Sequence, residues 1–165
     1  MTTLDEIVAN KLMDLVNYML SKIIKPDITI DKVTQLNAKE IEKIKQKYGI
    51  EGIILDVDDT LRKNMKSIPK ANKDWIESLR GKIKIINLSN GKDKNIEKYF
   101  KEKGIDYIGF AHKPLKRNFL KACQKMNLTP DKVLAVGDSL FDDIYGGKRN
   151  NMKTALVKTV EDDGR

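Results

Sequence analysis

The chain has 165 residues, and 32 lysines and arginines against 24 aspartates and glutamates give it a formal net charge of +8. This length fits one domain, the 40% hydrophobic content supports a packed core, and no apolar run is long enough to cross a membrane. One cysteine and one histidine exclude an internal disulfide framework and the usual zinc sites, and they fit a reducing, cytoplasmic setting.

The basic excess indicates attraction for anions in general. Only five of the 32 basic residues are arginines, which carry most base-specific recognition of nucleic acid, and the lysines are spread along the whole chain. A lysine-rich solvated surface therefore explains the charge better than a nucleic-acid-binding patch. The composition does not indicate whether the chain forms oligomers.

The first 49 residues are predicted to form a helical extension. Thr3 and Glu6 have the spacing of a capping box, and they begin a long helix over residues 3–24. A second helix is predicted from Asn37 to a stop at Gly49. The apolar residues of the first helix recur at helical spacing, at Leu4, Val8, Leu12, Leu15, Met19 and Ile23.

Two partners are open for the apolar stripe of the first helix. Such stripes most often pack on the core of their own domain, and we expect the same here. The alternative is an anionic membrane surface, because Lys11, Lys22 and Lys25 lie on or beside this helix. Asp5 and Asp14 weaken that alternative, because they bring negative charge to the same helix.

From residue 50 onward, short apolar runs alternate with helical stretches. This alternation predicts a parallel sheet with helices on both faces, so residues 50–165 are expected to form an α/β, Rossmann-like three-layer domain. The predicted strands are 52–57, 83–88, 107–111, 133–136 and 154–157, and the predicted helices lie near 72–79, 93–103, 115–126 and 143–149.

Polar residues follow each of the first four predicted strands. Because ligands bind at the carboxyl ends of the strands in open α/β sheets, we expect these residues to form one site. They are Asp56 and Asp58 after the first strand, Ser89 and Asn90 after the second, Lys113 after the third, and Asp138, Asp142 and Asp143 after the fourth.

The residue types in this predicted site indicate phosphoryl transfer. Clustered carboxylates without histidine or cysteine ligands suit a hard cation, and Mg²⁺ commonly links carboxylates to a substrate phosphate. A carboxylate can attack phosphorus directly and form an aspartyl-phosphate intermediate. Lys113 and the hydroxyl group of Ser89 have the chemistry to offset the charge of the transferring phosphoryl group.

Four motifs in order resemble those of the haloacid dehalogenase (HAD) superfamily. Residues 54–61, ILDVDDTL, resemble its DxDx(T/V) signature, and Ser89, Lys113 and Asp138 resemble its second, third and fourth motifs. Over residues 26–157 the layout is similar to the YqeG-like, HAD-IIIA phosphatases, which are related to phosphatidylglycerophosphate phosphatases. The resemblance implies a HAD-like hydrolase core.

The resemblance also implies roles for single residues. Asp56 would be the nucleophile, Asp58 the acid and then the base, and Lys113 the cation that offsets their charge. Asp59 stands where related proteins usually carry Asn or Gly, and we expect it to face solvent. The residues implied in phosphate binding are Thr60, Ser89, Asn90 and Lys113.

The same resemblance implies an Mg²⁺ site. Its ligands would be Asp56, Asp58, Asp138 and one carboxylate of the fourth motif. Two spacings of that motif occur among related proteins, and they select either Asp142 or Asp143. We prefer Asp143.

The gaps between the motifs are too short for a cap domain, so the core is predicted to be capless. By analogy, an open site suits a bulky phosphorylated substrate, and the predicted function is a phosphomonoester hydrolase. One alternative is a phosphatidylglycerophosphate phosphatase at the membrane surface, with the first helix as a peripheral anchor. The other is a HAD-fold binding module without catalysis, although the intact set of acidic residues and Lys113 argues against it.

Overall fold

A computed structural model describes residues 3–161, and its centre is one parallel sheet of six strands in the order β1-β6-β5-β2-β3-β4. The strands are β1 Ile28–Ile30, β2 Gly52–Leu55, β3 Lys84–Leu88, β4 Asp106–Ile108, β5 Val133–Gly137 and β6 Lys153–Val157. The helices are α1 Leu4–Ile23, α2 Ala38–Tyr48, α3 Lys70–Leu79, α4 Lys94–Glu102, α5 Lys116–Met126 and α6 Gly146–Lys148, and a π-helix spans Leu140–Tyr145.

Helices cover both faces of the sheet, as predicted. Because side chains alternate across a strand, Ile53 and Leu55 of β2 enter one core while Ile54 enters the other. The first core joins the sheet to α2, α3 and α4, and the second joins it to α5. The expectation of a capless α/β fold is therefore confirmed, since no further domain interrupts the sheet within residues 3–161.

Helix α1 forms where the sequence predicts it, with its capping box. Thr3 Oγ1 accepts a hydrogen bond from the backbone N–H of Glu6, and the Glu6 carboxylate accepts one from the N–H of Thr3. The expectation that its stripe packs on the core is wrong, because no residue of α1 is buried. The helix contacts the π-helix with a narrow side that includes the half-buried Val16 and Leu20. No helix of the described residues has the length and apolar character of a membrane span.

The segment between α1 and β2 also differs from the expectation of an all-helical extension. Residues Ile28–Ile30 form β1, which pairs in parallel with β6 at one side of the sheet. Trp75 on α3 donates its indole N–H to the carbonyl of Leu36 at 2.8 Å, so the chain before α2 is joined to the core. Within the predicted extension, residues 28–48 therefore contact the sheet and its first core. The last residues of the predicted core, 162–165, lie outside the described part.

Candidate active site

The predicted site residues lie at the carboxyl ends of the central strands. The backbone N–H of Asp56, directly after β2, donates to the carbonyl of Val136 in β5 at 3.0 Å. This bond aligns the two strand ends that carry Asp56 and Asp138. The chain then turns sharply, and Leu61 anchors the turn because its side chain is fully buried.

Three carboxylates converge at these strand ends. Oxygen atoms of Asp56, Asp138 and Asp143 all lie within 4.8 Å of one another. Thr60 Oγ1 lies 3.1 Å from Asp56 Oδ2 and 3.1 Å from Asp138 Oδ1, so this hydroxyl group links two of them. Asp143 belongs to the cluster, whereas Asp142 accepts a hydrogen bond from the side chain of Asn90 outside it.

Gly137 makes the close approach of Asp143 feasible. A Cβ atom at this position would overlap the Asp143 carboxylate. Asp143 also accepts a hydrogen bond from the backbone N–H of Ser139 at 3.2 Å, which holds its carboxylate over the end of β5. Gly137 at the end of β5 therefore leaves room for the Asp143 carboxylate, and Asp138 follows it directly at the strand end.

Lys113 is the buried cation of the site. Its Nζ atom donates to Asp56 Oδ1 at 2.8 Å and to Asp143 Oδ1 at 2.7 Å, and its side chain is 3% exposed. Burial alone would lower the pKa of Lys113, but the charges of Asp143 and Asp56 outweigh it and raise the pKa. The ammonium group therefore stays charged and neutralises part of the carboxylate cluster.

The remaining acids hold protons unusually well. Burial, followed by the charge of Asp56, raises the pKa of Asp138 to about 8. The same two causes raise the pKa of Asp143 to about 7, although Lys113 opposes them. Burial also raises the pKa of Asp142. The site thus carries more negative charge than one lysine can balance.

The carboxylate of Asp58 lies outside this cluster. Its Oδ1 atom accepts a hydrogen bond from Arg62 Nε at 2.8 Å, and Arg62 also binds Asp93 through a second 2.8 Å contact. Arg62 and Asp93 are not among the site residues predicted from the sequence. The signal for the first pairing was present, because Asp58 and Arg62 are four residues apart, but nothing local indicated Asp93.

The residues predicted to bind phosphate occupy different positions. Ser89 is buried at the end of β3, beside the site. Asn90 is exposed, and its Oδ1 atom accepts a hydrogen bond from the backbone N–H of Lys113 at 2.6 Å. In this arrangement Asn90 fixes the loop that carries Lys113. Asp59 is exposed as expected, and its φ of 61° lies in the left-handed region, where Asn, Asp and Gly are best tolerated.

Two cavities lie at opposite ends of the sheet. One of about 410 Å³ adjoins the site and is lined by Asp59, Lys63, Asp138 and the carboxyl end of β6. A larger one of about 820 Å³ lies by the amino ends of β3 and β4 and contains none of the predicted site residues. Of these two, only the smaller cavity borders the predicted site.

The donor set fits a hard divalent cation. Three carboxylates supply only oxygen atoms, two of the three residues are buried, and their mutual repulsion raises the pKa values of Asp138 and Asp143. A divalent cation bound to these oxygens would offset the charge that otherwise favours protonation.

Comparisons with known proteins agree with this geometry. A family model described as haloacid dehalogenase-like hydrolase matches residues 61–151. The chain is 30% identical over 145 residues to "Probable phosphatase YqeG" of Bacillus subtilis, and the match covers 86% of this chain and 81% of that protein. It is 41% identical over 63 residues to the "Putative pyrophosphatase PpaX" of Clostridium perfringens, and this match covers 38% of this chain and 29% of that protein.

A solved structure supports the fold. An uncharacterized protein from Listeria monocytogenes superposes with a TM-score of 0.56 at 19% sequence identity, covering 70% of this chain and 84% of that one. The family model spans more than half of the chain, and the YqeG match extends over most of it. The predicted resemblance is thus confirmed, and the chain belongs to the haloacid dehalogenase-like hydrolases.

Proposed function

We propose that the chain is an Mg²⁺-dependent phosphomonoester hydrolase that forms an aspartyl-phosphate at Asp56. The observation that carries this proposal is the environment of the Asp56 carboxylate. One of its oxygens is bound by Lys113, and the other lies beside Thr60 and the acidic cluster. A carboxylate held in this way is a positioned nucleophile next to a cation that can offset phosphate charge.

The proposed reaction has two displacements. Asp56 attacks phosphorus, its new O–P bond replaces the ester bond, and the leaving oxygen takes a proton from Asp58. A water molecule then attacks the phosphorus while Asp58 accepts its proton, and the products are inorganic phosphate and free Asp56. Lys113 stays near the phosphoryl oxygens in both steps, and Thr60, Ser89 and Asn90 are the proposed further contacts.

The metal would be held by Asp56, Asp138 and Asp143. When bound, Mg²⁺ would offset the negative charge of the carboxylates and the phosphate. Asp58 is the fourth ligand expected from the sequence. In the structure its carboxylate contacts Arg62, so Asp58 is not assigned as a side-chain ligand of the metal.

The first test compares Asp56 with Asp131, an exposed acid just before the amino end of β5. Because Asp56 is the nucleophile, Asp56→Asn should lower kcat for an aryl phosphate by at least about a thousandfold, whereas Asp131→Asn should stay within about twofold of wild type. EDTA should abolish turnover, and added Mg²⁺ should restore it. Wild-type rates in Asp56→Asn would contradict the assignment. Metal binding without turnover in the wild type would favour the binding-module alternative.

One structural feature favours a lipid-headgroup substrate at a membrane as the second candidate. Most apolar side chains of α1 are exposed, and α1 lies against the π-helix that carries Asp143. Phe110, Leu115 and Phe141 are exposed in the segments that follow β4 and β5. A membrane surface bound by α1 would therefore lie next to the carboxyl ends of the strands, where the acidic cluster is.

Vesicle flotation tests this candidate. Wild-type chain should float with vesicles that contain phosphatidylglycerol, and the double variant Leu12→Ser/Met19→Ser should remain in the soluble fraction, because it removes apolar area from α1. Vesicles of phosphatidylcholine alone serve as the control for charge. Absence of flotation in the wild type would exclude the membrane candidate and leave the phosphatase proposal intact.

A further inference from the structure

Arg62 is a buried cation that joins two partly exposed carboxylates beside the site. Its side chain is 3% exposed, and it contacts Asp58 Oδ1 through Nε and Asp93 Oδ2 through an NH1 group, each at 2.8 Å. Burial would lower the pKa of Arg62, but Asp93 and Asp58 outweigh it and raise the pKa. The guanidinium group is thus a permanent cation between two carboxylates from different loops.

The two carboxylates come from distant parts of the chain. Asp58 follows β2, and Asp93 lies 31 residues from Arg62, directly before α4. Asp93 divides its oxygen atoms between two tasks. Its Oδ1 atom caps α4 by accepting from the backbone N–H groups of Asn95 and Ile96, and its Oδ2 atom binds Arg62. Arg62 is therefore fixed to the start of a packed helix.

Arginine suits this position because of its shape. The planar guanidinium group presents several N–H donors in fixed directions and can hold two carboxylates in one plane. A lysine offers a single ammonium group on a flexible stem and cannot reproduce both contacts in the same geometry. The contact on Asp58 uses Oδ1, so Oδ2 is the oxygen that remains to meet a substrate.

We propose that Arg62 is a positioning residue for Asp58. Anchored by Asp93, it fixes the direction of the Asp58 carboxylate so that Oδ2 faces the leaving-group oxygen. This inference rests on the proposed function, in which Asp58 gives a proton to the leaving group and then takes one from water. Arg62 itself touches neither the phosphoryl group nor the metal ligands in this scheme.

The effect of Arg62 on kcat should depend on the leaving group of the substrate. An alkoxide is a poor leaving group and needs the proton from Asp58, whereas p-nitrophenolate departs with little help. In Arg62→Lys, kcat for an alkyl phosphate such as glycerol phosphate should fall about 30-fold, while kcat for p-nitrophenyl phosphate falls less than about threefold. KM should change less than twofold for both substrates, because phosphate binding is untouched.

Two further variants separate positioning from stability. Asp93→Asn keeps the cap of α4, since Asn caps helices as well as Asp does, but it removes the charge that anchors Arg62. Asp93→Asn should lower kcat for the two substrates in the same pattern as Arg62→Lys does, but by smaller factors. Arg80→Lys alters an exposed pair with Glu77 and should change neither rate. Equal losses on both substrates, or no loss on either, would overturn the inference.

A spectroscopic measurement tests the contact without turnover. The chain has five arginines, so the Arg62 Nε–H signal can be assigned from its absence in Arg62→Lys. This signal should exchange slowly with solvent in the wild type and rapidly in Asp58→Ala. Rapid exchange in the wild type would overturn the contact itself. A slowly exchanging Arg62 in a chain that hydrolyses neither substrate would instead contradict the proposed function and, with it, the role of Arg62.

Discussion

At the scale of single residues, the site is defined by an imbalance of charge. Asp56, Asp138 and Asp143 lie together, and Lys113 is bonded to two of them. Burial and mutual repulsion are the reasons why the pKa of Asp138 rises to about 8 and that of Asp143 to about 7. A divalent cation bound to these oxygens would therefore compete with protons for them.

This competition predicts how the metal-free protein responds to pH. Because the folded pKa values of Asp138 and Asp143 are raised above ordinary carboxyl values, the folded state holds protons that the unfolded state releases. In EDTA, the free energy of unfolding should therefore fall by about 1–3 kcal/mol between pH 6 and pH 8, measured by urea unfolding. Mg²⁺ should restore more stability at pH 8 than at pH 6.

The variant Asp138→Asn isolates the contribution of one acid. It removes the group with the highest carboxyl pKa, so the fall in stability between pH 6 and pH 8 should become smaller. A metal-free wild type that gains stability over this range would contradict the prediction.

The predictability of the site differs from residue to residue. Asp56, Lys113, Asp138 and Asp143 could be placed from sequence because each follows a strand, and parallel strands bring their carboxyl ends together. The partner of Asp58 could not be placed in full, because the pairing of Arg62 with Asp93 depends on the packing of α4. The catalytic and binding roles of these residues stay predictions.

At the scale of elements, α1 shows the limit of periodicity. The same spacing of apolar residues occurs in α2, where Ile41 and Ile44 are buried, and in α1, where no residue is buried. Periodicity defines a stripe along a helix, but the position of the helix relative to the sheet decides whether that stripe is covered. The predicted division into residues 1–49 and 50–165 stays a prediction.

Substitutions in the two helices should differ sharply in cost. Leu12 is 59% exposed, so Leu12→Ser should change the free energy of unfolding by less than about 0.5 kcal/mol. Ile41 on α2 is 1% exposed, and Ile41→Ser should cost at least about 3 kcal/mol, because it removes buried apolar area and introduces a hydroxyl group. Urea unfolding measures both. A cost above 2 kcal/mol for Leu12→Ser would show that α1 is covered in solution.

Strand β1 was not predicted because it is short and the contacts that fix it come from residues distant in the sequence. It has only three residues, which is too few for a periodic signal. Its position is fixed by Asp27, whose Oδ2 atom accepts hydrogen bonds from the backbone N–H of Thr154 at 2.9 Å and from Lys148 at 3.3 Å. None of these contacts is visible in the sequence around β1.

At the scale of the whole molecule, the strand order concentrates the chemistry. The central neighbours β2 and β5 carry Asp56 and Asp138 directly after them, and β3 carries Ser89 beside β2. The whole chain has a net charge of +8, whereas the residues of the site are mostly acidic. We therefore expect the basic excess to act at a distance, as a field that draws anions toward the protein.

That field predicts a dependence on salt. Raising KCl from about 20 mM to about 200 mM should lower kcat/KM for an anionic phosphate ester about threefold, because screening weakens long-range attraction. The kcat at saturating substrate should change much less, since the bound substrate is already in place. Steady-state kinetics with an uncharged salt substitute, such as sucrose at matched osmolarity, provides the control. An equal fall in kcat would contradict the prediction that salt acts on the encounter between substrate and protein.

The pairing of β1 with β6 has a consequence for the order of assembly. Asp27 and Thr154 bond across 127 residues of chain, and β1 has β6 as its neighbour in the sheet. A ribosome that adds about 5–20 residues per second leaves β1 without that neighbour for roughly 6–25 s. The strands β2 to β5 can pair during this time, so the β1 side of the sheet closes last. A nascent chain must therefore keep β1 unpaired while the acidic cluster at the ends of β2 and β5 is already being built.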